Sequence, residues 1–244
     1  MATQTGVADR MFRALADAQV NIQAITTSQI KISCLIERSQ GMAALRAVHD
    51  EFELEKPPGS RSNFGNSVKA GEGSSPIDVV ARLQRMEDLT IDDIRLDQTQ
   101  GRVTIGRLPD KPGIAAVLFE AVAAEGILVD MIVQGAGHDG IASLSFTVPR
   151  ADVERAVKVA ADAIGGEDVG PVTSDPSIAI LSVFGIGIRT HVGVGSRMFK
   201  ALSEAGINVE MISTSEVRVN VVVDAPQGEA GLKAMRDAFA DVMG

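Results

Sequence analysis

Two short segments of this sequence place a glycine directly before a predicted helix, and each could bind an anion. They read "LPDKPGIAAVLF", from Leu108, and "RTHVGVGSRMF", from Arg189. Backbone N–H groups at a helix start lack a partner within the helix, and the helix dipole favours negative charge there. The glycine lets a ligand approach the backbone closely. Both segments are therefore candidate carboxylate sites.

Polar residues follow each of these predicted helices. Asp130 and Gln134 come after the first, and Asn208 and Glu210 come after the second. Such side chains can accept hydrogen bonds from an ammonium group. A carboxylate site facing an ammonium site is an amino-acid site. The same residues also fit a simpler alternative, in which the glycines only form turns and the asparagine is a local cap.

Catalytic and metal chemistry have little support. The sequence contains no G-x-x-x-x-G-K-[ST] loop, and "FGIGIRTHVG" does not fit the dinucleotide fingerprint. His49, His138 and His191 lie far apart without ligand spacing. Cys34 is the only cysteine, which excludes an internal disulfide, and its strand-like surroundings predict a buried, unreactive thiol. We expect no catalytic residue, no cofactor and no metal.

Composition and charge narrow the class of protein further. Of 244 residues 45% are hydrophobic but only 3% aromatic, so the core must consist of aliphatic residues and methionine. The net charge is −9 and basic residues do not cluster, so no nucleic-acid partner is expected. No apolar run reaches about 18 residues and no signal peptide opens the chain. We expect a cytoplasmic protein without a membrane partner.

An internal repeat organises the chain. The segment "GVADRMFRALADAQVNIQAITTSQIKISCLIE", from Gly6, aligns without a gap with "GVGSRMFKALSEAGINVEMISTSEVRVNVVVD", from Gly193. A more diverged copy, "GIAAVLFEAVAAEGILVDMIVQ", starts at Gly113. We name these copies module A, module C and module B, in the chain order A, B, C.

Module C shows the repeating unit most clearly. The apolar run Ile178–Phe184 predicts a strand, a helix follows Gly193, two strands follow that helix, and a second amphipathic helix carries Phe239. This β-α-β-β-α order needs one further strand to become a ferredoxin-like βαββαβ sandwich. The predicted fold class is α+β, with antiparallel sheets packed by helices on one face.

The strand count predicts that one module is inserted into another. Module C lacks its last strand, whereas the spare strand Ile91–Leu96 stands before module B. Module A lacks its first strand, and two strands alone are marginally stable, so we expect it to dock on another module or to belong to a longer chain. The expected organisation is a partial module at 1–54, a flexible linker at 55–76, a helix with the completing strand at 77–101, module B at 102–173 and module C at 174–244.

The module B and C segments resemble the paired ACT domains at the C-terminus of aspartokinase. The resemblance is carried by "LPDKPGIAAVLFEAVAAEGILVDMIVQ", "DGIASLSFTVPR" and "VFGIGIRTHVGVGSRMFKALSEAGINVEMISTSEVRVNVVVD". Module A is similar to the preceding ACT repeat of the four-ACT type. The resemblance implies feedback sensing: lysine or threonine binds between ACT modules and controls a separate aspartate kinase domain, which this chain lacks.

The resemblance also implies which residues contact the effector. They are Asp110, Pro112, Gly113, Ile114, Ala115, Asp130, Gln134, Val192, Gly193, Val194, Asn208, Val209 and Glu210.

Some residues depart from the pattern of the family. Leu128 stands where the family has asparagine, and 135–137 read Gly-Ala-Gly instead of Asn-Val-Ser. Leu128 cannot form a hydrogen bond with an effector, so a site centred on module B is expected to be altered or lost. Module A keeps Asn21 but is expected to bind nothing unaided.

Three functions remain open at this point. The chain could be an effector-binding regulatory region of aspartokinase, an ACT assembly module without an effector, or a small acylphosphatase-like enzyme that would use Arg189 and Asn208. Because side-by-side pairing hides sheet edges, we expect modules B and C to pair and the chain to form a homodimer. An aspartokinase catalytic chain is a further expected partner.

Overall fold

The computed structural model describes residues 6–27, 31–57, 89–135, 137–166, 168–188, 191, 193–215 and 217–243. Its helices are α1 (Val7–Asp17), α2 (Gly41–Glu51), α3 (Ile114–Ala124), α4 (Val153–Ile164), α5 (Val194–Glu204) and α6 (Gly228–Phe239). Its strands are β1 (Ile22–Thr27), β2 (Ile32–Ile36), β3 (Thr90–Asp97), β4 (Gln100–Pro109), β5 (Ile132–Gln134), β6 (Ile141–Pro149), β7 (Val172–Asp175), β8 (Ile178–Ile186), β9 (Met211–Thr214) and β10 (Arg218–Asp224).

Two of the expected segments lie mostly outside the described residues. They are the linker at 55–76 and the helix predicted at 77–89, before the completing strand. No helix within the described ranges is long and apolar enough to span a bilayer.

The ferredoxin-like fold class is confirmed. Module B has the full order β4-α3-β5-β6-α4-β7, and module C has β8-α5-β9-β10-α6. Module A consists of α1, β1, β2 and α2. The described residues form two compact units, the first with 6–57 and 101–176 and the second with 89–100 and 177–243.

Modules A and B share one six-stranded sheet in the first unit. Its strand order is β2-β1-β5-β6-β4-β7. The two modules join where β1 runs antiparallel to β5, with Ile25 opposite Gln134 and Thr26 opposite Val133. The expectation that module B pairs with module C was therefore wrong, because module A covers the edge of the module B sheet.

The helices of the two modules also share one hydrophobic core. Helix α1 packs on α3, and the Phe12 and Phe119 ring centroids are 5.5 Å apart. Phe119 also meets Phe146 of β6 edge-on at 5.5 Å. All three rings are at most 3% exposed. Burying large apolar side chains is the main source of stability in such a core, so module A is held by module B.

The second unit is built from two separate parts of the chain. Its sheet has the order β3-β8-β10-β9, and β3 runs antiparallel to β8 with Ile94 opposite Val183 and Leu96 opposite Leu181. This is the pairing that the strand count predicts for the spare strand. The chain thus leaves the module C sheet after β3, builds module B and returns at β8.

One predicted strand differs from the structure. The apolar run Ile127–Val133 of module B predicts a strand at the place of the first strand after the helix, but β5 covers only Ile132–Gln134. The Ile127 amide donates instead to the carbonyl of Val122 and closes the end of α3.

The β3–β8 contact leaves no room for a side chain at Gly185, where an added Cβ would clash with the carbonyl oxygen of Thr90. We expect Gly185→Ala to lower the unfolding free energy of the second unit by about 1–3 kcal/mol, since the clash is with backbone. Gly106→Ala in β4 is the matched control, because a Cβ there meets nothing within 4 Å. Hydrogen-exchange mass spectrometry should show faster exchange in β3 and β8 for Gly185→Ala only; equal exchange in both variants would contradict the assignment.

Candidate functional site

A pocket lies inside the first unit, where the start of α3 in module B faces the start of β1 in module A. It leaves about 20 Å³ for the centre of a water-sized group, within about 330 Å³ of empty space that includes the open solvent at its mouth. The residues that line it are Phe12, Val20, Ile22, Leu108, Pro109, Asp110, Lys111, Pro112, Gly113, Ile114, Ala115, Ala116 and Gln134. The pocket therefore exists only because modules A and B are paired.

The start of α3 supplies hydrogen-bond donors to this pocket. Gly113 precedes the helix with φ +92°, a left-handed conformation that glycine adopts without a steric penalty. No side chain caps this helix start. The first backbone amides of a helix have no intrahelical acceptor and attract an anion. A carboxylate is therefore the group that this end of the pocket suits.

Side-chain hydrogen bonds join the two modules at the pocket. The Asn21 amide Nδ2 donates to Asp110 Oδ1 at 2.9 Å. The Gln134 amide Nε2 donates to the carbonyl oxygen of Ile22 at 3.0 Å, and Gln134 is buried. The Asp110 backbone amide donates to the carbonyl of Gly140 at 2.8 Å, which fixes its loop. A carboxylate has about four acceptor positions, so Asp110 can accept from an ammonium group as well.

Gly137 explains one departure from the family pattern. An added Cβ at this position would clash with Asp110 Oδ2 and would lie 2.9 Å from its Cγ. The whole carboxyl group of Asp110 therefore rests against the backbone of Gly137. A serine at this place could not coexist with the observed Asp110 conformation.

The pocket brings together part of the expected site. Asp110, Pro112, Gly113, Ile114, Ala115 and Gln134 all line it. Asp130 does not line it. The Asp130 backbone instead donates to the Thr147 carbonyl at 3.1 Å and accepts from the Thr27 hydroxyl at 3.5 Å. Its position is thus set by the strands around it.

The residues expected in module C lie in the second unit. Asn208 and Val209 line an open groove together with Phe199 and Ile212. Gly193 precedes α5 with φ +118° and Val194 is buried at 4% exposure. Gly193 and Val194 are not among the residues that line this groove.

Glu210 and Val192 are the remaining residues of this group. The backbone of Glu210 donates to the Val222 carbonyl at 2.9 Å. Val192 lies outside the described residues, as does Arg189 of the acylphosphatase alternative.

Asn21 does not line the pocket itself, but it holds Asp110, which does, and the sequence reasoning missed this role. Module A was expected to bind nothing unaided, yet its Asn21 reaches the carboxyl group of module B. The gap-free alignment could have identified it, since Asn21 occupies the repeat position of Asn208. Module B has Leu128 at this position, and its side chain is 43% exposed.

Comparison with known proteins agrees with this architecture. The family model described as the ACT domain matches residues 1–52, 104–164 and 181–239. The chain therefore belongs to the ACT domain family. Its relatives are aspartokinases, and the resemblance to the ACT regulatory region of that enzyme is confirmed.

Three of these similar proteins show the degree of similarity in sequence and in fold. An aspartokinase of Helicobacter pylori is 33% identical over 227 residues, which is 91% of this chain and 55% of that protein. The structure of aspartate kinase from Synechocystis matches with TM-score 0.78 and 32% identity over 97% of this chain and 37% of that one. The ligand-free regulatory subunit of aspartate kinase from Thermus thermophilus matches with TM-score 0.57 and 37% identity over 62% of this chain and 99% of that one.

The chain covers only part of the length of these relatives. It spans between 38% and 55% of the length of such curated relatives. Similarity to a separate regulatory subunit supports a regulatory role for the matched region.

We expect Gly137→Ala to lower the thermal midpoint of the first unit, because the new methyl group displaces Asp110 and breaks its bond with Asn21. Overpacking of this kind costs about 1–3 kcal/mol. Gly135→Ala is the matched control, since a Cβ there meets nothing within 4 Å. Differential scanning calorimetry should show the drop in Gly137→Ala alone; a shared or absent drop would contradict the packing described.

Proposed function

We propose that this chain is an effector-sensing region of aspartokinase and that it binds lysine or threonine in the pocket between modules A and B. The observation that supports this most directly is the Asn21–Asp110 hydrogen bond at the uncapped start of α3. An acidic group and the uncapped start of a helix thus line one small pocket.

The pocket chemistry suits an α-amino acid. The effector carboxylate would accept from the first amides of α3, where the helix dipole also favours it. The effector ammonium would donate to Asp110, a charge-assisted hydrogen bond that is stronger than a neutral one. Phe12, Val20 and Leu108 provide an apolar wall for the effector side chain.

The proposed partners follow from the relatives. We propose that the chain acts on an aspartate kinase catalytic chain or domain and so controls the first step of lysine and threonine biosynthesis. Self-association through ACT modules and a cytoplasmic location are parts of the same proposal. A second effector site in module C, with Asn208, Val209, Glu210, Val192, Gly193 and Val194, and a role for Asp130 rest on the resemblance.

One observation favours a second candidate, an ACT assembly module without an effector. Leu128 replaces the asparagine at the repeat position of Asn21 and Asn208, and it is 43% exposed. A leucine cannot form hydrogen bonds with an effector, so at least one of the three equivalent positions has lost that capacity.

We expect calorimetric melting with lysine, threonine or both to show a selective stabilisation of the full chain, with leucine as the control ligand. Calorimetry is suited to a protein without Trp or Tyr. A ligand at about 100 times its dissociation constant adds about 2.7 kcal/mol, which for this size is on the order of 5–10 °C. The absence of any shift, or an equal shift with leucine, would favour the assembly module.

Substitutions at equivalent positions separate the sites. We expect Asn21→Leu to abolish the shift assigned to the A–B pocket, because it removes the polar bridge to Asp110. Leu128→Ala is the control at the equivalent position of module B, since Leu128 is 43% exposed and its apolar side chain cannot form a hydrogen bond with Asp110 as Asn21 does. Asn208→Ala reports on the module C site: unchanged affinity in this variant would rule out that second site.

A further inference from the structure

Module A leaves the outer half of its core uncovered. Strand β2 is the terminal strand of the six-stranded sheet, and within the described ranges its only strand neighbour is β1. Helix α2 follows β2 and buries only Ala44. We name Ile32–Ile36 and Gly41–Glu51 together the β2–α2 surface. Exposed apolar residues next to a terminal strand mark an interaction surface.

The repeat allows α2 to be compared with the second helices of the other modules. A short 3₁₀ turn precedes each of these helices and fixes their alignment. Helices α4 and α6 each bury four residues, which are Val153, Ala156, Ala160 and Ile164 in α4 and Gly228, Gly231, Met235 and Phe239 in α6. The equivalent residues of module A are Gly41, Ala44, Val48 and Phe52, and of these only Ala44 is buried.

The strand before the helix differs in the same way. Leu35 of β2 is 58% exposed, whereas the equivalent Thr147 of β6 and Val222 of β10 are 0% exposed. A strand and a helix of module A thus lack a cover that the same elements have in both other modules.

Modules B and C show that a strand provides this cover. In module C, β8 runs antiparallel to β10 over seven residues, with Leu181 opposite Val221. In module B, β4 takes the same place beside β6. Helix α6 packs on both β8 and β3, so the covering strand also supports the second helix. No strand fills this place beside β2 in the described part of module A.

The pairing in module C indicates the chemistry of a strand that fits. Its inward residues alternate along β8, are fully buried and belong to the module C core; they are Ala179, Leu181 and Val183. The β2 residues at the positions that face them are Ile36, Cys34 and Ile32. All three β2 residues are half-buried and already pack against the core of the first unit. A strand with apolar residues at alternating positions would complete their burial.

We propose that the β2–α2 surface binds one extended strand of a partner protein, antiparallel to β2 and with apolar side chains at alternating positions. In such strand addition the main-chain hydrogen bonds provide affinity and the alternating side chains provide specificity. A strand is the occupant because a strand fills the equivalent place in both other modules. The proposal rests on the burial pattern of module A and does not depend on effector binding.

Fluorescence anisotropy with a labelled peptide tests the chemistry of the strand. The probe has the sequence of residues 177–185, flanked by lysines for solubility, and the full chain is titrated into it. We expect saturable binding that Leu181→Asp in the peptide weakens about tenfold or more, because this change places a charge in the core. Ser182→Asp is the matched control, since it adds the same charge on the opposite face of the strand and should leave the affinity nearly unchanged.

Two results of this titration would overturn the proposal. One is equal affinity of the Leu181→Asp and Ser182→Asp peptides, which would show that strand alternation is not recognised. The other is the absence of binding by every peptide, which would show that a different part of the protein or a second copy covers the surface. Neither result depends on the outcome of the effector melts.

Cys34, the only cysteine of the chain, allows the position of the strand to be tested. Residues directly opposite each other in an antiparallel pair are close enough for a disulfide. A peptide with Leu181→Cys, activated as a mixed disulfide with thionitrobenzoate, is attacked by the Cys34 thiolate, which forms the peptide–protein disulfide and releases coloured thionitrobenzoate. We expect this peptide to react about tenfold faster than the Ser182→Cys control, whose sulfur lies on the other face. Equal rates for the two peptides would show that the strand does not pair with β2 in this register.

Discussion

The antiparallel contact between β1 and β5 is the interaction on which the whole first unit depends. A strand edge has unpaired N–H and C=O groups, which must be satisfied by water or by another strand. Module A alone has only two strands, too few for an independently stable sheet. By joining β5 it becomes part of a six-stranded sheet, and Phe12 and Phe119 become part of one core.

The same contact creates the candidate site. Asn21 and Asp110 are 89 residues apart in sequence, yet their side chains are hydrogen-bonded because β1 and β5 are neighbours. The acidic group and the start of α3 belong to module B, whereas the amide belongs to module A. A ligand in this pocket would touch both modules at once. Such a ligand binds the paired state better than a separated one, and this differential affinity is what sensing requires.

Three copies of one sequence unit occupy three different environments in this chain. Modules A and B use equivalent strand and helix surfaces to cover each other, whereas Phe199 and Ile212 at the equivalent positions of module C are 38% and 43% exposed. The polar position of the unit also varies, with Asn21, Leu128 and Asn208 in the three copies. The repeat thus preserves the packing unit while the residue at this position changes from copy to copy.

The sequence by itself determined the ferredoxin-like unit, its repetition, the pairing of Ile91–Leu96 with module C, and the glycine at each first-helix start. These features are local or countable: helical spacing, β-rich runs and a missing strand can be read along the chain. Only the tertiary structure decided that module A, and not module C, pairs with module B, and that Asn21 therefore meets Asp110. The edge strands of all three modules have similar sequences. The local sequence pattern therefore does not predict which two modules pair through their edges. The choice depends on long-range packing, such as Phe12 on Phe119 and Arg13 with Glu120, which sequence spacing does not reveal.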